Sequence, residues 1–465
     1  MAFADQLDEM VERIIDEAIK FYLEVHNWRL DFDGNYHTSD MGVDYTMTPP
    51  GNPVRTAGGQ VTGTLGLPTP LTCEYGTGDN AGSLIYGHFE TTIREMFRPW
   101  RSIPTPADFD PYLDILSEAA WRISLTSTGD KVSGVGNAKL TAVEFLQKKI
   151  GGDDMGGNMI LLFDQNFCTP LPTVIHGQYA VALLAGITLC GEKEIWAGAQ
   201  RDVLAIADKT HAAMKDRGAD VAHDLSTVSA LFSLAAVFPT PFGPILAGVG
   251  TVLPMLESLI ESGDEPSKPT VEFAGGTPEK VVGKSQEALK KLAQTIRGCE
   301  DDIKGKIKNA MELVTSRSGS FDMPKPELLG ETKIGGMKVD LNDLRFLATD
   351  TLPQIGKELN AASDGLSSGF MRSDAWYRPT EIGASDTPDG PYHEWSALVS
   401  LAEGLVIDLA WEVRESANHL DIATNRIGQT EAQAEESLRR HAEKLSGGSG
   451  RDPIGKASWW LNENR

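Results

Sequence analysis

The 465-residue chain is short of cationic charge: 42 Lys and Arg stand against 66 Asp and Glu, a formal net charge of −24 at pH 7. Such a chain repels phosphate polyanions and anionic headgroups, which excludes nucleic acid as an electrostatically recruited partner. Cysteine is scarce as well. Cys73, Cys168, Cys190 and Cys299 are widely spaced, with no C-x-x-C pair and no clustered histidine. Cys190 and Cys299 fall on apolar helix faces, where a buried free thiol is the commoner state. The catalytic signatures are missing too: no G-x-S-x-G elbow and no H-E-x-x-H occur, and the nine histidines, among them His176, His211, His223 and His419, are dispersed. Gly283-Lys284-Ser285 echoes the end of a phosphate-binding loop, but Pro278 stands where its first glycine is needed. It reads as an exposed helical turn with Ser285 on the apolar seam. Asp31-Phe32-Asp33-Gly34-Asn35 lacks the alternating acids and terminal Glu of a calcium loop. The sequence therefore assigns no catalytic residue, no cofactor and no metal, and reads as a non-enzyme.

No signal peptide opens the chain either. MAFADQLDEMVERIIDEAIKFYLEV is acidic and amphipathic, without the positive n-region and unbroken apolar h-region. The expected location is cytoplasmic, or secreted by a route that needs no such peptide.

What the chain does have is helical period. From Tyr392 to His441, the residues Trp395, Val399, Ala402, Val406, Leu409, Val413, Ser416, Leu420, Ala423, Ile427, Thr430 and Ala434 recur at steps of four and three. That is a heptad seam of about five heptads, and it predicts one helix roughly 75 Å long. Similar seams run through Leu7, Val11, Ile14, Ala18, Phe21 and Val25, through Val282 to Val314, and through Leu344 to Leu366. Phe109, Leu113, Leu116, Ala120 and Ile123 line another helix, with Asp108 expected as its N-cap. Thr169-Pro170-Leu171-Pro172 marks a kink before a helix running to Lys215. The predicted fold is mostly α, an extended antiparallel bundle of long amphipathic helices with a central apolar hairpin and an irregular N-terminal insertion. The expected divisions are an N-terminal helix (1–27), a Gly/Pro-rich insertion (28–82), a first helical unit (83–222), the apolar hairpin (223–262), a linker (263–278), a second helical unit (279–445) and a flexible tail (446–465).

The apolar hairpin is the feature with functional content. No charged residue occurs between Asp224 and Glu257. The group Phe238-Pro239-Thr240-Pro241-Phe242-Gly243-Pro244 forms a turn between two apolar arms, which carry Leu231 and Phe232 on one side and Leu246 on the other. Each arm is roughly 14 to 16 residues, short of the ~20 that span a bilayer. One reading is a buried hairpin clamped by longer helices. The other is a concealed membrane arm that inserts over 225–260 and assembles a pore.

The unit from Val339-Asp340-Leu341 to Ile427-Gly428-Gln429-Thr430-Glu431 resembles the WXG-type (ESX) helical-hairpin proteins of actinobacterial type VII secretion. In that family the second helix often ends in a Tyr followed after three residues by Asp or Glu, which acts in export. Here Glu431 holds the acidic position and Ile427 the aromatic one, so the two are at most a remnant of an export signal. The stretch from Asp108 to Lys215 is similar to such a unit as well. Gly156-Gly157-Asn158 through Phe163-Asp164-Gln165 resembles the Gly-Gly turn and Phe/Tyr-Asp segment in helical N-terminal modules of type VII-associated toxins. A literal W-x-G triplet, Trp196-Ala197-Gly198, falls inside a predicted helix. The resemblance implies a non-enzymatic helical protein, exported by or associated with a type VII-like system, that packs against protein partners or copies of itself. A pore-forming helical toxin with a membrane partner and a self-assembling intracellular scaffold are the alternatives.

Overall fold

The computed structural model describes residues 2–32, 35–40, 43–47, 61–63, 72–73, 76–77, 81–125, 136–152, 155–217, 222–225, 269–323, 339–369, 373–379, 382, 388–427, 436, 439–440, 443–444 and 449–464. In chain order these carry α1 (Phe3–Val25), β1 (Arg29–Leu30), β2 (Tyr36–Asp40), β3 (Val43–Met47), β4 (Val61–Gly63), β5 (Thr72–Cys73), β6 (Gly76–Thr77), α2 (Ala81–Phe97), α3 (Asp110–Arg122), α4 (Thr141–Ile150), α5 (Asn158–Phe163), α6 (Leu171–Lys215), β7 (Ala222–Asp224), β8 (Thr270–Glu272), α7 (Pro278–Ser316), α8 (Leu341–Phe346), α9 (Leu352–Ser368), α10 (Tyr392–Ile427) and α11 (Pro453–Glu463). The fold is mostly α, a bundle of long helices with few strands.

Helix α6 is the axis. Every residue from 177 to 189 is buried, so no face of this stretch reaches water. A helix apolar all round can be stable only when neighbours enclose it. One of them is α7: Thr210 Oγ1 lies 2.7 Å from Ser285 Oγ, while Gln178 at the other end donates to the Phe321 carbonyl just past α7, at 3.0 Å. The two helices therefore run antiparallel along their length. Helix α3 is also antiparallel to α6, with Lys193 paired to Asp110 and Gln200 donating to the Pro104 carbonyl. Helix α1 covers the C-terminal half of α6. There Arg217, left-handed at φ 58°, donates from Nε and Nη2 to the two Glu24 carboxylate oxygens and lies over the Phe21 ring.

The seams read from the sequence are buried where the helices are described. In α10, Trp395, Val399, Ala402, Val406, Leu409, Val413, Ser416, Leu420 and Ala423 are at most 1% exposed or are classed as buried. In α7, Val282 through Val314 are buried at every seam position, Ser285 included. Helices α9 and α10 form an antiparallel pair. Gly356 packs against Val413 and Ala410, and Arg345 in α8 reaches Asn425.

Several expectations need correction. The helix from Tyr392 does not continue to His441. Its described span ends at Ile427, and Lys444 sits 2.5 Å from Glu415, 29 residues earlier. A continuous helix would hold those residues about 43 Å apart, so the chain reverses between them. The tail expected to be flexible contains α11, capped by Asp452 and burying Pro453, Ala457 and Leu461 at i, i+4 and i+8. Within the insertion expected to be irregular, β1 to β4 pair antiparallel in chain order and β5 pairs with β6. Asp108 is not an N-cap. Thr105 is, and Asp108 stands at the third position of a capping box, accepting from the Thr105 N–H at 3.0 Å.

The Thr169–Pro172 stretch is accommodated rather than broken. Residues Asp164–Cys168 form a π turn, with the Thr169 N–H bonded to the Asp164 carbonyl at 2.8 Å. The wider turn passes the register through prolines that cannot donate. The same device, Leu347–Thr351, precedes Pro353 between α8 and α9.

One close approach fixes a residue type. A Cβ on Gly177 would stand 2.0 Å from the Ser320 carbonyl oxygen, which is backbone and cannot swing away. Gly177→Ala is expected to destabilise the fold by about 2 kcal/mol or more. Gly87→Ala on α2, where a Cβ meets nothing within 4 Å, is expected to be neutral or stabilising by about 0.5 kcal/mol. Paired urea-unfolding curves check both; equal midpoints would contradict the close α6–Ser320 approach.

Candidate functional site

The most concentrated chemistry inside the bundle is built from three charged residues that nearly all the sequence patterning passes over. Helix α6 presents Glu192 one turn before Trp196, and α7 presents Glu300 next to the seam residue Cys299. The connection between α9 and α10 inserts Arg378 between them. The guanidinium Nη2 donates to Glu192 Oε2 at 3.1 Å, and Nε donates to Glu300 Oε1 at 3.0 Å. Its Nη1 donates to the Ala375 carbonyl at 2.9 Å. Arg378 is 2% exposed, Glu192 0% and Glu300 5%.

Aromatic rings wall the arginine in. Its Cζ lies 4.4 Å from the Trp196 ring centroid and 5.9 Å from that of Trp376. Trp376 in turn packs against Trp395, Tyr392 and Phe109 at centroid distances of 5.4, 5.6 and 6.2 Å. Trp196 Nε1 donates to Glu192, and Trp395 Nε1 donates to the Ala185 carbonyl of α6 at 2.9 Å. Gly390, at φ +64°, closes the loop over the pair; a Cβ there would come within 2.7 Å of Glu300 Oε1. A desolvated cation over two rings gains more than an exposed one, about 2 kcal/mol.

Two carboxyls share one guanidinium as their hydrogen-bonded cation, and the Lys304 charge acts on both as well. Burial pushes Glu192 up to about 8, with the Glu300 charge adding and Arg378 and Trp196 pulling down. Burial raises Glu300 as well, against the pull of Arg378. Glu192 Oε1 has no hydrogen-bond partner. The arrangement is neutral when Glu192 keeps its proton and Glu300 is ionised against Arg378. A second buried carboxylate behaves in the opposite way. Burial of Glu358 is outweighed by hydrogen bonds from Lys139 and Asn137 and by the charge of Arg122, and its carboxyl lies below its ordinary value.

The triad joins α6, α7 and the α9–α10 connection behind aromatic rings. Among the described residues, no three His, Cys, Asp or Glu side chains come together in a way that could hold a metal ion. Asp31 is engaged by the Asn35 N–H at 2.7 Å and the His37 ring at 2.5 Å. Ser285 is buried against Thr210, and Lys284 pairs with Glu287. Cys168, Cys190 and Cys299 are free thiols, and burial pushes Cys190 and Cys299 up to about 12, away from reactivity.

The residues singled out from the sequence are not gathered into one place. Leu231, Phe232, Phe238, Pro239, Pro241, Phe242, Gly243, Pro244 and Leu246 of the apolar hairpin lie outside the described residues, as does Glu431. Ile427 is the last residue of α10. Trp196 of the W-x-G triplet is mid-helix and wholly buried, serving the arginine. The triad itself was missed. Its one sequence signal is Glu192 inside the most apolar helix, at i−4 from Trp196, where an unpaired charge would be costly.

Comparisons with known protein families, with characterised proteins and with solved structures find no match to this chain.

Removing the arginine leaves two buried carboxyls without their hydrogen-bonded cation, so Arg378→Met is expected to cost about 3–5 kcal/mol. Glu192→Gln keeps the shape and removes one titration. Below the ordinary glutamate value both folded and unfolded states hold the proton; between there and about 8 only the folded state does. Stability therefore falls by about 1.4 kcal/mol per pH unit through that window from this group. Unfolding free energies measured from pH 5 to 8.5 should show a shallower decline in Glu192→Gln than in the parent. Parallel declines would place the proton elsewhere.

Proposed function

We propose that this chain is a non-enzymatic, acidic helical protein that acts by packing its helices against partner chains, in association with a type VII-like export apparatus. The observation that carries the reading is the antiparallel α8–α9/α10 pair, which coincides with the segment resembling the WXG-type hairpins. The use of the interior supports it: the buried Glu192, Glu300, Glu358 and Arg378 link helices to one another. A strongly anionic chain also suits a protein partner better than a nucleic acid. The test is secretion. A tagged chain made in an actinobacterial host should reach the medium when the type VII system is intact and stay in the cells when its motor ATPase is inactivated. Equal amounts in the medium of both strains, or in neither, would remove the association.

A second reading, pore formation by the 225–260 segment, rests on a separate observation. The segment 226–268, which contains the uncharged run between Asp224 and Glu257, leaves and re-enters the described fold at one point. There β7 pairs antiparallel with β8 (Ala222 opposite Glu272), and the Leu225 N–H bonds to the Pro269 carbonyl at 3.0 Å. The helical stretch Met159–Lys215 is also long and apolar enough to cross a membrane, but 89% of its most apolar window is buried inside the protein, as in a core helix. Dye release from liposomes between pH 5 and 8 tests this reading. Release abolished by Leu231→Asp supports it, and no release, or release indifferent to that change, removes it.

A further inference from the structure

Helix α10 has two buried faces, and they are chemically opposite. The heptad seam faces α9 and α6. Round the helix from it, Gly404, Asp408, Glu412 and Glu415 recur at three- and four-residue steps, a second stripe within one narrow arc. The returning C-terminal chain lies along this stripe in antiparallel register. Lys444 pairs with Glu415, the Ser449 hydroxyl bonds to Asp408, and Pro453 at the start of α11 sits where a Cβ on Gly404 would be, 2.9 Å away. Lys308 of α7 holds the far end of α11 by donating to the Asn464 carbonyl at 3.0 Å.

Within this stripe two carboxyl oxygens are sealed without partners. Asp408 Oδ1 and Glu412 Oε2 are inaccessible and accept no hydrogen bond, in residues 6% and 7% exposed. Carboxyls from two other elements face them. Asp322, in the turn after α7, acts on both Asp408 and Glu412, and Asp452, the cap of α11, acts on Asp322 and Asp408. Among the described residues, the cations acting on this group are Arg451, beside Asp408, and Lys444, engaged by Glu415, with the His419 ring near both Glu415 and Lys444 and held toward its neutral form by burial. Fully ionised, the group would hold five carboxylates against two cations, counting Asp322, Asp408, Glu412, Glu415 and Asp452 against Lys444 and Arg451.

We propose that the C-terminal segment, Ser449 to the end of α11, is a proton-operated clasp: it closes over α10 while the carboxyls of Asp322, Asp408 and Glu412 hold protons, and lifts when they ionise. Two unpartnered oxygens in a dry seam are tolerable as parts of neutral carboxyls and costly as parts of anions. Lifting the clasp gives those anions water and separates Asp452 from Asp322 and Asp408. The hold being opposed is small, since α11 buries only Pro453, Ala457 and Leu461 among its residues. The direction of titration agrees. Burial, with Asp322 and Asp408 adding, pushes Glu412 up to about 9. Burial, with Asp408 adding, pushes Asp322 up to about 6, and burial raises Asp408 against the pull of Ser449 and Arg451. The window of operation is therefore mildly acidic to mildly alkaline, with the closed form on the acidic side.

Hydrogen exchange of the α11 backbone in the full chain, corrected for the intrinsic pH dependence, tests the clasp. Protection is expected to fall about tenfold or more from pH 6 to pH 9 in the parent, while α6 stays protected. Glu412→Gln, and separately Asp322→Asn, should retain protection at pH 9. Glu192→Gln alters a buried carboxyl away from this stripe and should leave the loss intact. Equal protection of α11 at both pH values in the parent, or an undiminished loss in both Glu412→Gln and Asp322→Asn, would overturn the proposal. So would abolition of the loss by Glu192→Gln, because the exchange would then report unfolding of the whole bundle.

Discussion

Helix α6 must be kept dry on every side, and the architecture follows from that demand. Its 45 residues include a run with no solvent-facing position. A helix so apolar would aggregate or enter a membrane unless the rest of the chain enclosed it. The enclosing helices do so in a consistent order: α3 and α7 antiparallel along it, α1 over its C-terminal half, and α10 against its middle, where Trp395 bonds to the Ala185 carbonyl. Apolar enclosure is non-directional, however. It sets which helices cover α6 without fixing how far each one slides.

Polar contacts supply that register. The Arg378 triad ties α6, α7 and the α9–α10 connection at one level, and the Thr210–Ser285 pair ties α6 to α7 at another. Gly177 fixes a third level by contact with the Ser320 carbonyl. Replacing such a network with apolar residues often leaves stability unchanged, so its contribution here is best understood as specificity of alignment. The contrast between Glu192 and Glu358 shows how local the electrostatics are. Both are buried, but Glu358 meets Arg122, Lys139 and Asn137, while Glu192 shares the Arg378 guanidinium with a second carboxyl.

Buried acid without enough base is the recurring theme of the molecule. The triad holds two carboxyls to one guanidinium, and the stripe beneath the C-terminal segment holds several carboxyls near two cations. Both arrangements favour the protonated form, so the fold is tied to proton concentration at two separate places. One place is at the centre of the bundle and binds its helices together. The other lies where the chain leading into α11 meets α10 at Asp408. The same chemistry thus yields cohesion in one setting and a local response in the other, according to what covers it.

The helical class and most seam positions were legible in the sequence, because burial of one helical face imposes a 3.6-residue period that composition alone displays. Val282 to Val314, Leu344 to Leu366 and Trp395 to Ala423 are buried as their spacing demands. The absence of the common catalytic motifs was equally plain. What the one-dimensional pattern could not carry was anything made by residues distant along the chain. Arg378 sits in a loop without period, and its meaning depends on Glu192 and Glu300, 186 and 78 residues away. The end of α10 was misplaced because the heptad step persists past Gly428; the reversal shows only when Lys444 is found beside Glu415. The C-terminal helix was hidden for a related reason, since three buried residues in a short segment rise above a polar background only once α10 is there to receive them. By itself the sequence determined which faces must be dry. Which charges were sealed in with them was decided by tertiary structure, because desolvation depends on neighbours that the linear chain does not place together.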